Sequence, residues 1–191
     1  MNNNCKLSNV TKAYLTRFHC IFDRMTENMT SVEFGNSISH NFIVQMIPHH
    51  RAAIEMSENI LKYTTNIALQ NIAENIISEQ TESIRNMEKI EETCSALDNT
   101  NTDNCLYERR VTPILNAMFN GMENACADNN VTCNFMREMI PHHIGAVRMC
   151  ENALKYDVCT ELVPIMRSII QSQERGILQM RRLLNCLGCG E

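Results

Sequence analysis

Apolar residues recur at helical spacing along almost the whole chain. Between residues 40 and 63 they form one stripe whose steps alternate between four and three residues, which predicts a long helix with one buried face. The stripe consists of Phe42, Met46, His49, Ala53, Met56, Ile60 and Tyr63. A second stripe runs from Leu69 to Met87 and predicts another long helix at about 66–92. A shorter helix is expected before them, at about 10–29.

The pattern occurs twice, at a constant offset. The segment 42–50 reads FIVQMIPHH and returns at 135–143 as FMREMIPHH, and 20 of the 46 positions from 42 to 87 are identical to those 93 residues later. An internal repeat of this extent indicates a duplicated structural unit. The second copy therefore predicts a short helix at about 107–122 and long helices at about 133–156 and 159–185.

The duplication predicts an all-α fold. Two long helices per copy, joined by short loops, favour an up-down four-helix bundle with pseudo-twofold symmetry, to which each repeat adds its short first helix. We expect a single domain over 1–191, with repeat one at about 10–97 and repeat two at about 103–189. Pro48 and Pro141 fall inside the second helix of each copy, where proline removes a backbone hydrogen bond and can cause a kink.

Composition narrows the function classes. The 191 residues carry a formal charge of −5 without a run of Lys or Arg, which gives no support for nucleic-acid binding. No apolar run approaches the roughly 20 residues that span a bilayer. The N-terminus lacks the apolar stretch of a secretory signal, so the expected location is the cytoplasm, or outside it if the chain is a processed form. The ten cysteines could accordingly be thiols, disulfides or metal ligands.

The repeated helix carries the candidate chemistry. Met46, His49 and His50 share one helical face, and thioether and imidazole groups are ligands that select Cu(I). The predicted metal ligands are His49, His50, Met46 and Met56, with His142, His143, Met139 and Met149 in the second copy. Weaker candidates are Met25, Met29, Met87, Met118, Met122 and Met180. Zinc is the competing ion. The alternative without a metal is that these residues only fill the core.

Helix rise predicts where these residues lie. At about 1.5 Å per residue, Met46, His49 and Met87 fall into one layer near the lower end of the first copy, and Met56 forms a second layer. The second copy should repeat this arrangement. Six cysteines are expected together at the same lower end, namely Cys94, Cys105, Cys126, Cys133, Cys186 and Cys189. Gln80 and Gln173, on the apolar stripe of the third helix, should form an interhelical hydrogen bond.

The two MIPHH segments, each followed by an Ile-Ile…Gln…Ile…Met helix, resemble the CopM-type family, long labelled a domain of unknown function. The resemblance spans roughly residues 14–185 and implies a ferritin-like bundle that binds copper and acts in copper storage, trafficking or tolerance. A copper-transfer protein is then an expected partner. The chain departs from the family in its many cysteines and in Ser83 and Gly176, where an acidic residue is common.

Two other functions compete with copper binding. A helical bundle with a Met-rich core could serve as a structural or interaction module without any metal. A di-iron oxidase would need Glu-x-x-His on two helices, and the chain contains no such motif. Glu138 lies four residues before His142, but its counterpart is Gln45. We therefore expect a metal-binding protein that is not an enzyme.

Overall fold

The computed structural model describes residues 6–190, which form six helices and no strand. The helices are α1 (Asn9–Thr30), α2 (Ile38–Ile60), α3 (Ile67–Ser95), α4 (Asn101–Glu123), α5 (Val131–Ala153) and α6 (Leu162–Cys186). Five of them begin at a side chain that accepts a backbone N–H of the first turn, as N-capping residues do. These caps are Ser8, Ser37, Asn66, Thr100 and Asn130. The all-helical prediction is confirmed.

The sequence suggested that the first helix of each copy is short. In the structure it is as long as the second helix. Helix α1 has 22 residues and α4 has 23, so both match α2 and α5 in length. Each is tied to the next helix by an asparagine: Asn59 donates its side-chain N–H to the Tyr14 carbonyl, and Asn152 donates to that of Tyr107. The expected bounds of about 10–29 were nearly right for α1, whereas α4 begins at Asn101, before the expected start at about 107. Only one narrow face of α4 is buried, and for this reason the apolar pattern missed its first turns.

Helices α2, α3, α5 and α6 form the central bundle, and α1 and α4 pack on its outside. The Thr64 and Thr132 hydroxyls share a hydrogen bond of 2.9 Å that joins the end of α2 to the start of α5. At the opposite end, the backbone N–H of Cys159, just after α5, donates to Ser39 Oγ near the start of α2. Helices α2 and α5 are therefore antiparallel, and the pseudo-twofold axis runs across the bundle rather than along it.

This orientation corrects the prediction that the cysteines gather at one end. A disulfide between Cys94 and Cys159 joins the end of α3 to the segment before α6. The second disulfide, between Cys133 and Cys189, joins the start of α5 to the residues after α6. Because α2 and α5 point in opposite directions, these two bonds lie at opposite ends of the bundle.

Both prolines are accommodated inside continuous helices. Pro48 lies within α2 and Pro141 within α5, and neither helix is interrupted. One apolar core, drawn from both copies, runs through the molecule. None of the helices within residues 6–190 combines the length and hydropathy needed to cross a membrane.

Candidate metal centre

Two histidine rings lie at the centre of the molecule. His49 is the middle residue of α2 and His142 the middle residue of α5, and the antiparallel helices bring the rings into a stack with centroids 3.6 Å apart. Each ring reaches the backbone of the other helix: His49 Nε2 is 3.3 Å from the His142 carbonyl, and His142 Nε2 is 3.2 Å from that of His49. Because a carbonyl only accepts, Nε2 carries the proton in both rings and Nδ1 carries a lone pair.

The second histidine of each pair faces α3 and α6. The ring centroids of His49 and His50 are 5.7 Å apart, and those of His142 and His143 are 5.9 Å apart. The copies differ here, because His50 Nε2 shares a hydrogen bond of 3.1 Å with the Ser83 hydroxyl. The counterpart of Ser83 is Gly176, and the structure brings the His143 ring directly against its backbone.

All four rings are buried and neutral. Burial lowers the pKa of His49 to about 4 and that of His143 to about 3. Burial, followed by repulsion between the neighbouring rings, also holds the pKa of His50 and of His142 well below 6.5. A neutral imidazole is the form that binds metal ions, so protons do not compete for these nitrogens near pH 7.

Several imidazole nitrogens of this centre have no hydrogen-bond partner among the described residues, and such nitrogens are available to bind a soft metal ion. Within residues 6–190, the Nδ1 atoms of His49, His50, His142 and His143 have no hydrogen-bond partner. Buried polar atoms are normally paired, so four imidazole Nδ1 atoms without partners in one layer point to an external partner. Imidazole nitrogens beside thioethers are a donor set suited to Cu(I).

Within residues 6–190, twelve methionines are buried in the core that contains the histidines. At about 1.5 Å per residue, Met46 and Met139 lie about 4–5 Å from the histidine level, on opposite sides of it, because α2 and α5 are antiparallel. Each half of the bundle therefore mixes the copies, which corrects the prediction of one layer per copy. One half contains Met46, Met87, Met118 and Met149, and the other contains Met139, Met180, Met25 and Met56. Met29 and Met122 fall close to the central level.

The buried polar residues Gln80, Gln173 and Glu138 have hydrogen-bonding states that the sequence did not predict. Gln80 and Gln173 are both buried, but neither side-chain atom of Gln80 has a hydrogen-bond partner in the described part of the chain, so the predicted interhelical bond does not form. Glu138 accepts a hydrogen bond from the hydroxyl of Tyr14, and burial raises its pKa to about 8. The four-residue spacing between Glu138 and His142 indicated that Glu138 lies near the histidines. Nothing in the sequence indicated that Tyr14 on α1 is its hydrogen-bond partner.

Among the described residues, histidines, carboxylates and thiolates alone do not form a metal site. Across residues 6–190, no group of three or more His, Cys, Asp or Glu side chains is arranged to hold a metal ion. A metal bound at this level would therefore need the methionine thioethers as well as the histidines.

Comparison with known proteins identifies related molecules. The model of a family described as Domain of unknown function (DUF305) matches residues 24–91 and 39–184. The chain is similar to two solved structures of CopM, with a TM-score of 0.57, 31% identity and coverage of 77% of this chain and 96% of the other for the apo form. For the Ag-bound form, obtained by soaking, the TM-score is 0.58 at 28% identity, with 77% and 94% covered.

A third related structure extends the comparison of the fold. It is a DUF305 fragment from Deinococcus radiodurans, which has a TM-score of 0.57 at 23% identity and covers 78% of this chain and 95% of the fragment. No curated protein matches the chain.

Proposed function

The chain belongs to the DUF305 family, and from this premise we propose that it binds Cu(I), with Ag(I) as a chemical mimic. The ligands are the imidazoles of His49, His50, His142 and His143, together with the thioethers above and below them. The protein acts in copper storage, trafficking or tolerance and catalyses no reaction. The similarity to CopM, which was solved in an Ag-bound form, supports this choice of metal.

The observation that carries the proposal is the set of four buried, neutral imidazoles with open Nδ1 atoms. A purely structural histidine layer would be expected to use its nitrogens in internal hydrogen bonds, because a buried polar atom without a partner costs about 1–3 kcal/mol. The crossing of α2 and α5 leaves four such atoms. A bound ion would compensate for them.

Ligand softness favours copper over other ions. Mg²⁺ and Ca²⁺ require several oxygen ligands, and the layer is dominated by sulfur and imidazole nitrogen. Zn²⁺ can use the histidines but gains little from thioethers, so it is the serious competitor. The apolar core encloses His49 and His142, which are 0% exposed, and so shields Cu(I) bound beside them from solvent.

The alternatives have weaker support. A metal-free structural module explains the buried methionines but not the open imidazole nitrogens. A di-iron oxidase needs paired carboxylates, and Glu138, with its counterpart Gln45, offers a single one at this layer.

The sulfur chemistry supports a location outside the cytosol. Disulfides persist in oxidising compartments and are rare in the cytosol. The bonds Cys94–Cys159 and Cys133–Cys189 therefore support a protein that works outside the reducing cytosol, the alternative that the sequence left open for a processed chain. A copper-transfer protein in that compartment is the proposed partner.

Anaerobic titration with Cu(I) against a competing chelator tests the proposal. Free thiols also bind Cu(I), so the measurement uses a thiol-depleted variant in which cysteines outside the disulfides become serine and buried Cys150 is kept. The replaced residues are Cys5, which lies outside the described residues, and Cys20, Cys105, Cys126 and Cys186. Replacing His49 and His50 by alanine should lower Cu(I) affinity by roughly 100-fold or more, since even an indirect metal partner is worth 10–100-fold.

Two comparisons make the result decisive. His19 and His40 lie away from the centre, so replacing them by alanine is the matched control and should leave Cu(I) affinity unchanged. The circular dichroism of every variant should remain helical. Unchanged affinity in the H49A/H50A and H142A/H143A variants would refute the assignment. Displacement of Cu(I) by an equal concentration of Zn(II) would show that the methionines are not ligands.

A further inference from the structure

A cleft between α3 and α6 leads from the surface to the histidine layer. Its cavity has a volume of about 180 Å³, and His50, Gln80, Ser83 and Gln173 line it. His50 is only 1% exposed, so its ring forms the inner end of the cleft. His49 and His142, each 0% exposed, lie deeper in the bundle.

Two glutamines in the walls of the cleft carry buried polar atoms without hydrogen-bond partners among the described residues. Gln80 is 2% exposed and Gln173 is 3% exposed, yet Gln80 Nε2, Gln80 Oε1 and Gln173 Oε1 have no hydrogen-bond partner among residues 6–190. Amide oxygens can bind a cation weakly, which suits a position that an ion passes through. At the rim, Glu79 is paired with Arg175 at 2.6 Å, and Glu82 adds negative charge that attracts cations.

The pseudo-twofold axis generates a second opening, which is nearly closed. It is lined by the counterparts of the first set, including His143 and Gly176, but its volume is only about 20 Å³. The two openings differ beside the histidine: Ser83 forms a hydrogen bond with His50 Nε2, whereas its counterpart Gly176 lies next to the His143 ring. A Cβ at position 176 would be 2.9 Å from His143 Cδ2.

We propose that the α3–α6 cleft is the route by which the metal ion reaches and leaves the buried centre, with His50 as the first imidazole that it meets. The proposal rests on the Cu(I)-binding function proposed above and adds that loading is asymmetric. The ion passes the amides of Gln80 and Gln173, binds His50, and moves inward to the thioethers. The opening at His143 is too small to serve as a second route.

A substitution that fills the cleft with a larger side chain tests this route. In the thiol-depleted variant, Ser83→Leu should fill the cavity and slow the transfer of Cu(I) from bicinchoninate, followed by stopped-flow absorbance, by roughly tenfold or more. The final Cu(I) stoichiometry should not change, because the inner ligands are intact. Ser172→Leu, from the α6 side of the same cleft, should have the same effect and replaces the first variant if that one does not fold.

Two controls separate blocking from other effects. Ser83→Ala removes the hydrogen bond to His50 without filling the cleft and should load at least as fast as the parent. Ser78→Leu introduces the same side chain on an exposed part of α3 and should also load normally. Normal loading in both plugged variants would overturn the route while leaving the metal centre in place. Failure of the parent to bind Cu(I) would instead refute the proposed function.

Discussion

At the scale of single residues, the two copies differ most in chemistry at Glu138. Its carboxyl group is buried in the core, and the hydroxyl of Tyr14 on α1 donates a hydrogen bond to it. The counterpart position carries Gln45, which donates to the Met29 carbonyl instead. A buried carboxyl resists ionisation, and burial raises the pKa of Glu138 from 4.5 to about 8. The protein therefore retains a proton near its centre at neutral pH.

Replacing Glu138 by Gln should stabilise the protein at neutral pH. The pKa of Glu138 is higher in the folded state than in the unfolded state. The wild type therefore loses stability as the pH rises from about 4.5 to 8, and the glutamine variant does not. At 1.36 kcal/mol per pKa unit, the gain at pH 7 should be of the order of 2–3 kcal/mol. Urea unfolding of both proteins from pH 4 to 8 measures it.

The pH dependence of the stability difference between Glu138→Gln and the wild type is as informative as its size. The gain should nearly vanish at pH 4, below the unfolded pKa of 4.5, where Glu138 is mostly protonated in both states. Gln45→Glu introduces the same carboxyl group into the other copy and should create a similar loss at high pH. A constant difference between Glu138→Gln and the wild type over this pH range would contradict the shifted pKa.

At the scale of helices, α4 and α5 approach unusually closely where glycine faces proline. A Cβ at Gly121 of α4 would be 2.8 Å from the Pro141 Cβ on α5. The proline ring is rigid and belongs to a helix that other helices hold in position, so it cannot move aside. The proline of the MIPHH segment thus forms a contact surface for α4, directly beside His142.

Gly121→Ala should destabilise the protein although it favours helix formation. Alanine in a helix is worth about 1 kcal/mol over glycine, whereas a Cβ forced into a packed contact costs about 1–3 kcal/mol. We expect a lower thermal midpoint by circular dichroism. Ser78→Ala, on the exposed face of α3, is the control and should leave the midpoint nearly unchanged. A higher midpoint for Gly121→Ala would mean that α4 and α5 are further apart.

At the scale of the whole molecule, disulfides hold both ends of the bundle. Cys94–Cys159 closes a separation of 65 residues and connects the two copies, and Cys133–Cys189 closes 56 residues within the second copy. Both constrain the unfolded chain strongly. The histidine layer lies midway between them, because His49 and His142 are the middle residues of α2 and α5.

Replacing Cys94 and Cys159 by serine should lower the free energy of unfolding by about 2–4 kcal/mol, the usual contribution of a disulfide. Urea unfolding under non-reducing conditions measures the difference, and mass spectrometry of peptides from the parent protein should identify both bonds. Cys105→Ser, at an exposed thiol, is the control and should have little effect. Equal stability of the double-serine variant and the parent would show that the bond contributes nothing.

Much of this architecture follows from the sequence alone. The apolar period and the 93-residue offset were sufficient to predict the helices and the equivalence of the two copies, because helix formation depends on local spacing and on burial of one face. The MIPHH segments likewise indicated His49 and His142 as inward-facing residues. Met46, Met56, Met139 and Met149 followed from the same stripe, and all four are buried.

The relation between the copies was decided only by the tertiary structure. A repeated sequence is compatible with a twofold axis along the bundle or across it, and the contacts between α2 and α5 select the second. That choice stacks His49 on His142, mixes methionines of both copies in each half, and separates the cysteines to opposite ends. It also creates two equivalent clefts, of which Ser83 and Gly176 leave only one open. These features depend on contacts between residues far apart in the chain, which no local pattern encodes.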